Sequence, residues 1–191
     1  MKNMLIQTVR SAAAVALLAV SMTGHAQSAF TLKSADVVAG GTIPQEFAFN
    51  GFGCTGQNVS PSIEWSNLPA GTKSLALMVH DPDAQTGGAG FWHWAVIDIP
   101  ATVTSLVRGA GASDGMRLPQ AAKHVATDFG MPGWGGPCPP VGDKPHRYVF
   151  TLYALKVDKL PVPAQPTASL AGFMVNANAI AKAEFTATYG R

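Results

Sequence analysis

The pattern of apolar and polar residues along the chain predicts many short β-strands. The clearest strands cover residues 73–80 and 91–100. In 73–80 the two alternating faces are both apolar, which predicts a strand buried on both sides in the centre of a sheet. Shorter strands are predicted at residues 30–38, 46–49, 62–65, 147–155 and 185–189, and residues 102–106 form either a short strand or a turn.

Residues 167–183 are predicted to form one helix near the end of the chain. Thr167 or Ser169 can cap its N-terminus. The apolar residues that recur at helical spacing are Leu170, Phe173, Met174, Ala177, Ile180 and Ala181. Seven or more strands against one helix predict an all-β fold, an antiparallel β-sandwich with a C-terminal helix.

The chain begins with the pattern of a secretory signal peptide. Lys2 and Arg10 form a basic region before an apolar segment at 11–20, and small residues favour cleavage after Ala26. This segment is too short to span a membrane, which takes about 20 apolar residues. We therefore expect a signal peptide at 1–26, one domain at 27–191, and a protein that is periplasmic or secreted, with no transmembrane segment in the mature chain.

Charge argues against nucleic acid as a partner. The first 26 residues contain two of the 13 basic residues and none of the 11 acidic ones, so the remainder carries equal numbers of each sign. It also has no basic run, which makes nucleic acid and anionic membrane surfaces poor candidates.

The two cysteines, Cys54 and Cys138, lie in glycine-rich segments. In an exported protein they are candidates for a disulfide, which in the loop-entropy model contributes about 4–5 kcal/mol for a loop of this length. Two separate buried thiols are the alternative.

A rigid glycine- and proline-rich segment at 135–142 leads into a predicted strand that carries His146 and Tyr148 on one face. Asp81 and His93 also stand at strand ends. If these strands are neighbours, the four side chains meet at one mouth, where His, Tyr and free loop N–H groups suit a phosphate-like anion. Asp81 would orient an imidazole or meet a cationic head group. Two histidines near the usual pKa of about 6.5 would strengthen anion binding in mild acid.

Several of these segments resemble the phosphatidylethanolamine-binding protein family, and in particular its bacterial, Raf-kinase-inhibitor-like branch. The matching segments are 53–61, 63–65, 81–84, 92–94, 136–142 and 146–148. The resemblance implies a large central antiparallel sheet, a smaller flanking sheet and a short C-terminal helix. It also implies an anion pocket at the sheet edge, and a ligand binder rather than a catalyst.

The resemblance assigns the pocket residues by position. Those expected to bind the ligand are Asp81, His93, Gly136, Cys138, Pro139, Pro140, His146 and Tyr148. The implied partner is a small phosphate-bearing molecule or a phospholipid head group, with no metal or other cofactor and no catalytic residue. A disulfide from Cys54 to Cys138 would brace one pocket wall. Many family members have proline where this chain has Gln85, so the shape of that rim is open.

Three other functions are compatible with parts of the sequence. Residues 111–115 fit G-x-S-x-G, the motif of a serine hydrolase. A metal site with two histidines and one carboxylate could be formed by Asp81, His93 and His146. A secreted inhibitor of a protease or of a kinase pathway, acting through protein contacts, is the third.

Overall fold

The computed structural model describes residues 28–191, so the predicted signal peptide and its cleavage site after Ala26 lie outside the described residues. A 3-10 helix covers Gln45–Phe47. The other elements are β1 (Thr31–Lys33), β2 (Asn50–Gly51), β3 (Cys54–Thr55), β4 (Ile63–Ser66), β5 (Ser74–Asp81), β6 (Phe91–Pro100), β7 (Ser105–Leu106), β8 (Lys123–His124), β9 (His146–Leu155), α1 (Ala168–Asn178) and β10 (Ala179–Tyr189). Neither helix in residues 28–191 has the length and apolar character needed to cross a membrane.

The central sheet has five antiparallel strands in the order β10-β9-β5-β6-β8. Its middle strand is β5, as the two-sided apolar pattern predicts. Leu75 and Leu77 belong to one buried cluster, while Ala76 and Met78 belong to another on the opposite face. This arrangement buries β5 on both faces and holds its C-terminal residue, Asp81, between two neighbouring strands.

Different layers cover the two faces of the central sheet. A three-stranded sheet, β1-β4-β7, contributes Leu32, Ile63 and Trp65 to the first cluster. Helix α1 contributes Ala171 and Val175 to the second. The prediction of an antiparallel sandwich with a large sheet, a smaller flanking sheet and one C-terminal helix is therefore confirmed.

The predicted bounds of the helix are wrong at its C-terminal end. Thr167 caps α1 by accepting a hydrogen bond from Leu170 N, but the helix ends at Asn178. From Ala179 onward the chain pairs with β9, and the backbone bonds of this sheet edge override the helical spacing of the side chains.

The apolar stripe read from the sequence is also not the face of α1 that packs on the sheet. Phe173 is 69% exposed, whereas the buried residues are Ala168, Ala171, Gly172 and Val175. Small side chains allow the helix to approach the sheet closely. A Cβ on Gly172 would lie 3.6 Å from Met78 Cε.

Three shorter predictions need correction. The strand expected at 30–38 covers only Thr31–Lys33, and the strand expected at 46–49 is replaced by a 3-10 turn that follows Pro44. The irregular segment 107–145 contains the short strand β8. In each case local alternation is too brief to determine pairing without the neighbouring strand.

Candidate ligand-binding site

Strands β6, β5 and β9 are adjacent, and this adjacency brings together the four side chains singled out from the sequence. Asp81 ends β5, His93 lies near the start of β6, and His146 and Tyr148 begin β9. They border a cavity of about 280 Å³. Its lining residues are Phe52, Asp81, Ala84, Gln85, Phe91, His93, Phe129, Cys138, Pro139, Pro140, His146 and Tyr148. Gly136 is the one expected site residue outside this lining.

Both oxygens of the Asp81 carboxylate accept hydrogen bonds from within the protein. Its Oδ1 accepts hydrogen bonds from the backbone N–H groups of Asp83 (2.8 Å) and Ala84 (3.1 Å). Its Oδ2 accepts one from His146 Nδ1 at 2.8 Å. Asp81 therefore orients an imidazole, which is one of the two roles that its position suggested.

His146 lies between two carboxylates. Its Nδ1 faces Asp81, and its Nε2 lies 3.4 Å from Asp143 Oδ2. Burial opposes a charge on the ring, but these two carboxylates outweigh burial and raise the pKa of His146. Gln85 Nε2 lies 3.5 Å from the same Asp143 oxygen, so a polar side chain reaches Asp143 at this rim.

His93 has the opposite electrostatic behaviour. Its Nδ1 donates to the Gly135 carbonyl at 2.6 Å, and the ring is only 4% exposed. Burial lowers the pKa of His93 to about 4, despite the raising effect of the Gly135 carbonyl. The expectation of two histidines near pKa 6.5 is therefore wrong, because burial lowers the pKa of His93 and two carboxylates raise the pKa of His146.

Tyr148 is fully buried in the cavity wall, edge-to-face with His93 at 5.0 Å between ring centroids. Its hydroxyl is the one buried side-chain polar atom in residues 28–191 without a hydrogen-bond partner. Burial, together with the charge of Asp81, raises the pKa of Tyr148, so the hydroxyl stays protonated. A buried group left unpaired costs about 1–3 kcal/mol, and such exceptions are rare in folded proteins.

The wall that contains Gly136 offers fewer backbone donors than its sequence suggests. Three of the five residues at 136–140 are prolines, which have no N–H. The N–H of Gly136 is taken by Asn58 Oδ1 at 2.8 Å. A Cβ on Gly136 would lie 2.1 Å from Phe47 O, so this residue is glycine because two backbone segments meet there.

A disulfide and the side chain of Arg191 connect this wall to the β2–β3 hairpin. Cys54 and Cys138 form a disulfide. Arg191 donates from Nε to Pro139 O at 2.7 Å and from Nη1 to Gly53 O at 2.9 Å. Arg191 and Asn58 carry no motif of their own, so sequence reasoning missed both.

An aromatic cluster forms the remaining side of the cavity. Phe129 packs on Phe91 (4.9 Å between ring centroids) and on His93 (5.4 Å). Phe52 stacks on the Phe129 ring at 6.3 Å. Phe129 lies in the irregular segment before the wall, where no periodicity marks a half-buried ring. The site therefore combines a few polar atoms with a large apolar surface.

The geometry favours neither a serine hydrolase site at Ser113 nor a metal site at Asp81, His93 and His146. Residues 107–122 form turns and irregular backbone, so Ser113 has no strand directly before it and no helix directly after it. Asp81 and His146 hydrogen-bond to each other. Within residues 28–191, no group of three or more His, Cys, Asp or Glu side chains is arranged to hold a metal ion.

Comparison with known proteins gives matches over most of the chain. The family model described as Phosphatidylethanolamine-binding protein matches residues 33–190. The chain is 47% identical to the UPF0098 protein YbcL of Escherichia coli K12 over 189 residues, which cover 99% of this chain and 98% of YbcL. It is 39% identical to the UPF0098 protein YbhB of the same organism over 158 residues, which cover 83% of this chain and 98% of YbhB.

The fold also matches the solved structure of a relative. The crystal structure of E. coli YbcL, described as a new member of the mammalian PEBP family, aligns with a TM-score of 0.82 at 50% identity. The alignment covers 85% of this chain and 98% of that one.

Proposed function

Because the chain belongs to the phosphatidylethanolamine-binding protein family, we propose that it binds a phosphate-bearing small molecule or a phospholipid head group in this cavity. Binding takes place without chemical conversion of the ligand. The cavity of about 280 Å³ is of a size to admit a head group rather than a whole lipid.

The observation that carries this proposal is the unpaired hydroxyl of Tyr148. It is a protonated donor at the wall of a cavity, and its burial without a partner costs stability in the free protein. A phosphate oxygen would supply the missing acceptor. His93 lies against the Tyr148 ring and offers a second polar contact to the same ligand.

The other lining residues support binding and orientation. Asp81 and His146 hold each other in place, and the prolines of the wall resist movement. The lining contains no Ser, Thr or Lys, and Cys138 is held in the disulfide. The aromatic cluster suits the apolar part of an amphipathic ligand.

We infer further that the protein acts outside the cytoplasm, in the periplasm or as a secreted protein. The signal-like segment at 1–26 and the disulfide between Cys54 and Cys138 support this location, because disulfides persist in oxidising compartments.

Titration of the purified protein with inorganic phosphate and with phosphoethanolamine, followed by ¹H–¹⁵N NMR, tests the proposal. We expect saturable shifts at His93 and Tyr148 in the millimolar range or below, weakened in Tyr148→Phe. Absence of binding by both wild type and variant in that range would overturn the anion site. If phosphate or phosphoethanolamine binds, mass spectrometry of the small molecules that copurify with the protein would identify the natural ligand.

A further inference from the structure

The orientation of His93 decides which of its ring nitrogens can meet a ligand. A carbonyl oxygen only accepts hydrogen bonds, so the contact of 2.6 Å with Gly135 O places the proton of the neutral ring on Nδ1. Gly135 N donates back to His93 O at 2.8 Å, which fixes the two backbones together. The free nitrogen of His93 is then Nε2, and it carries a lone pair.

Nε2 of His93 is open to the cavity. This nitrogen has no hydrogen-bond partner in residues 28–191. Tyr148 Oη is the one side-chain polar atom there that is both buried and unpaired, so His93 Nε2 is not buried. Since His93 lines the cavity, the exposed edge of its ring is the one that carries Nε2. A ligand therefore meets a hydrogen-bond acceptor from His93 and a donor from Tyr148.

The charges around His93 do not compensate for a dianion. Asp81 and His80 face it from β5, and His146 and Tyr148 face it from β9. Asp81 and His146 hydrogen-bond to each other, and no Lys or Arg among residues 28–191 lines the cavity. Phe129, from the irregular segment, contributes no charge. A fully ionised phosphate would place an oxygen lone pair against that of Nε2.

We propose that His93 selects a phosphate that carries a proton, so that the ligand is a phosphate monoester bound as its monoanion rather than a phosphate diester. The P–OH group donates to His93 Nε2, and Tyr148 donates to a second phosphate oxygen. This inference rests on the proposed function, since it specifies the ligand class of the same cavity.

The size of the preference follows from proton availability. A monoester has its second pKa near 6, so about one-tenth of it is the monoanion at pH 7. A diester has no such proton and needs His93 protonated, which holds for about one molecule in a thousand at pH 7 when the pKa is about 4. With otherwise equal contacts, the monoester binds on the order of a hundredfold more tightly.

The two ligand classes also differ in pH profile. Monoester affinity rises about tenfold per pH unit as the pH falls from 8 to 6, because the ligand gains the proton that it donates. It is then flat down to about pH 4, where His93 itself becomes protonated. Diester affinity keeps rising down to about pH 4. Titration of His146 changes both affinities together and leaves their ratio unaffected.

Methyl phosphate and dimethyl phosphate form a matched pair of probes that differ by one methyl group. Affinities are measured by NMR titration at pH 7 and pH 5 on protein labelled with ¹⁵N-histidine. We expect tighter binding of methyl phosphate at pH 7, a smaller ratio at pH 5, and a bound His93 whose Nε2 retains the shift of an unprotonated nitrogen. His124, whose Nε2 bonds to Ala112 O, is the internal reference.

Equal affinities at pH 7, or protonation of His93 Nε2 when methyl phosphate binds, would overturn the inference while leaving the anion site intact. Failure of both probes to bind would remove the site itself. Tyr148→Phe is the control variant, which should weaken both probes and preserve their ratio. Titration with a short-chain phosphatidic acid beside methyl phosphate then shows whether the monoester is taken from a lipid or from solution.

Discussion

His146 Nδ1 lies 2.8 Å from Asp81 Oδ2, and this contact joins two residues 65 positions apart at one edge of the central sheet. Both side chains are buried, and backbone N–H groups of the following turn hold the carboxylate from the other side. The pair therefore positions the mouth of the cavity rather than offering a free charge to the ligand.

Asp81→Asn should lower both the pKa of His146 and the free energy of unfolding. The carboxylate stabilises the imidazolium and accepts a hydrogen bond from its Nδ1, and loss of a charged hydrogen bond costs about 1.5–3 kcal/mol. NMR titration of His146 and urea unfolding would measure the two effects. Glu184→Gln, which breaks the exposed pair with Lys182, is the control and should change stability by less than about 0.5 kcal/mol. An unshifted His146 would show that Asp81 does not set its charge.

Tyr148→Phe should stabilise the free protein and weaken phosphate binding. The substitution removes a buried hydroxyl that has no partner, with a gain of about 1 kcal/mol, and it also removes the donor proposed for the ligand. Thermal unfolding with and without phosphate separates these opposite effects. Tyr189→Phe provides the contrast, because its hydroxyl donates to Gln45 at 2.6 Å and its removal should destabilise. A destabilised Tyr148→Phe protein would mean that the hydroxyl is already satisfied.

Acid should destabilise the protein through His93 between about pH 6.5 and pH 4. In this range the histidine takes up a proton in the unfolded protein but not in the folded one, where its pKa is about 4. The free energy of unfolding therefore decreases as the pH is lowered. The full effect is up to about 3 kcal/mol. His146 acts in the opposite sense, because its raised pKa contributes stability at low pH that is lost as pH rises.

Comparing urea unfolding of wild type and His93→Gln at several pH values isolates the contribution of His93. The variant should lose less stability than wild type between pH 6.5 and pH 4, whatever its stability at pH 7. Parallel curves for the two proteins would contradict the low pKa of the buried ring.

Replacing both cysteines by alanine should lower stability by about 2–4 kcal/mol and weaken ligand binding. The disulfide joins the β2–β3 hairpin to the residues that line the cavity, so its loss frees one wall. Urea unfolding and phosphate titration of the variant measure the two effects. Unchanged affinity would show that Arg191 and the prolines hold the wall without the disulfide.

Gly136→Ala should be strongly destabilising, by more than about 2 kcal/mol, because its Cβ would lie 2.1 Å from Phe47 O. Gly172→Ala is the matched control. Its Cβ would make ordinary contacts of 3.6–3.8 Å within α1, and we expect a gain of about 0.5–1 kcal/mol. Thermal unfolding of both variants checks the contrast, and a mild effect at Gly136 would mean that the wall can move.

Much of the site could be predicted from the sequence because its main residues lie at strand ends. The positions of Asp81, His93, His146 and Tyr148 follow from alternation and from turn residues. Asn58, Phe129 and Arg191 could not be found in this way, since their roles depend on contacts between segments far apart in the chain. The same limit explains the helix, which ends at Asn178 because β9 offers a pairing edge.

The sequence alone determined which segments are strands, that β5 is buried on both faces, and which side chains stand at the strand ends, because alternation is a local property of the backbone. Only the tertiary structure decided that β6, β5 and β9 are neighbours and that Gly136 supports the wall without lining the cavity. It also decided the direction in which the pKa of each histidine shifts. Burial depresses one pKa and paired carboxylates raise the other, and both effects arise from residues distant in the chain.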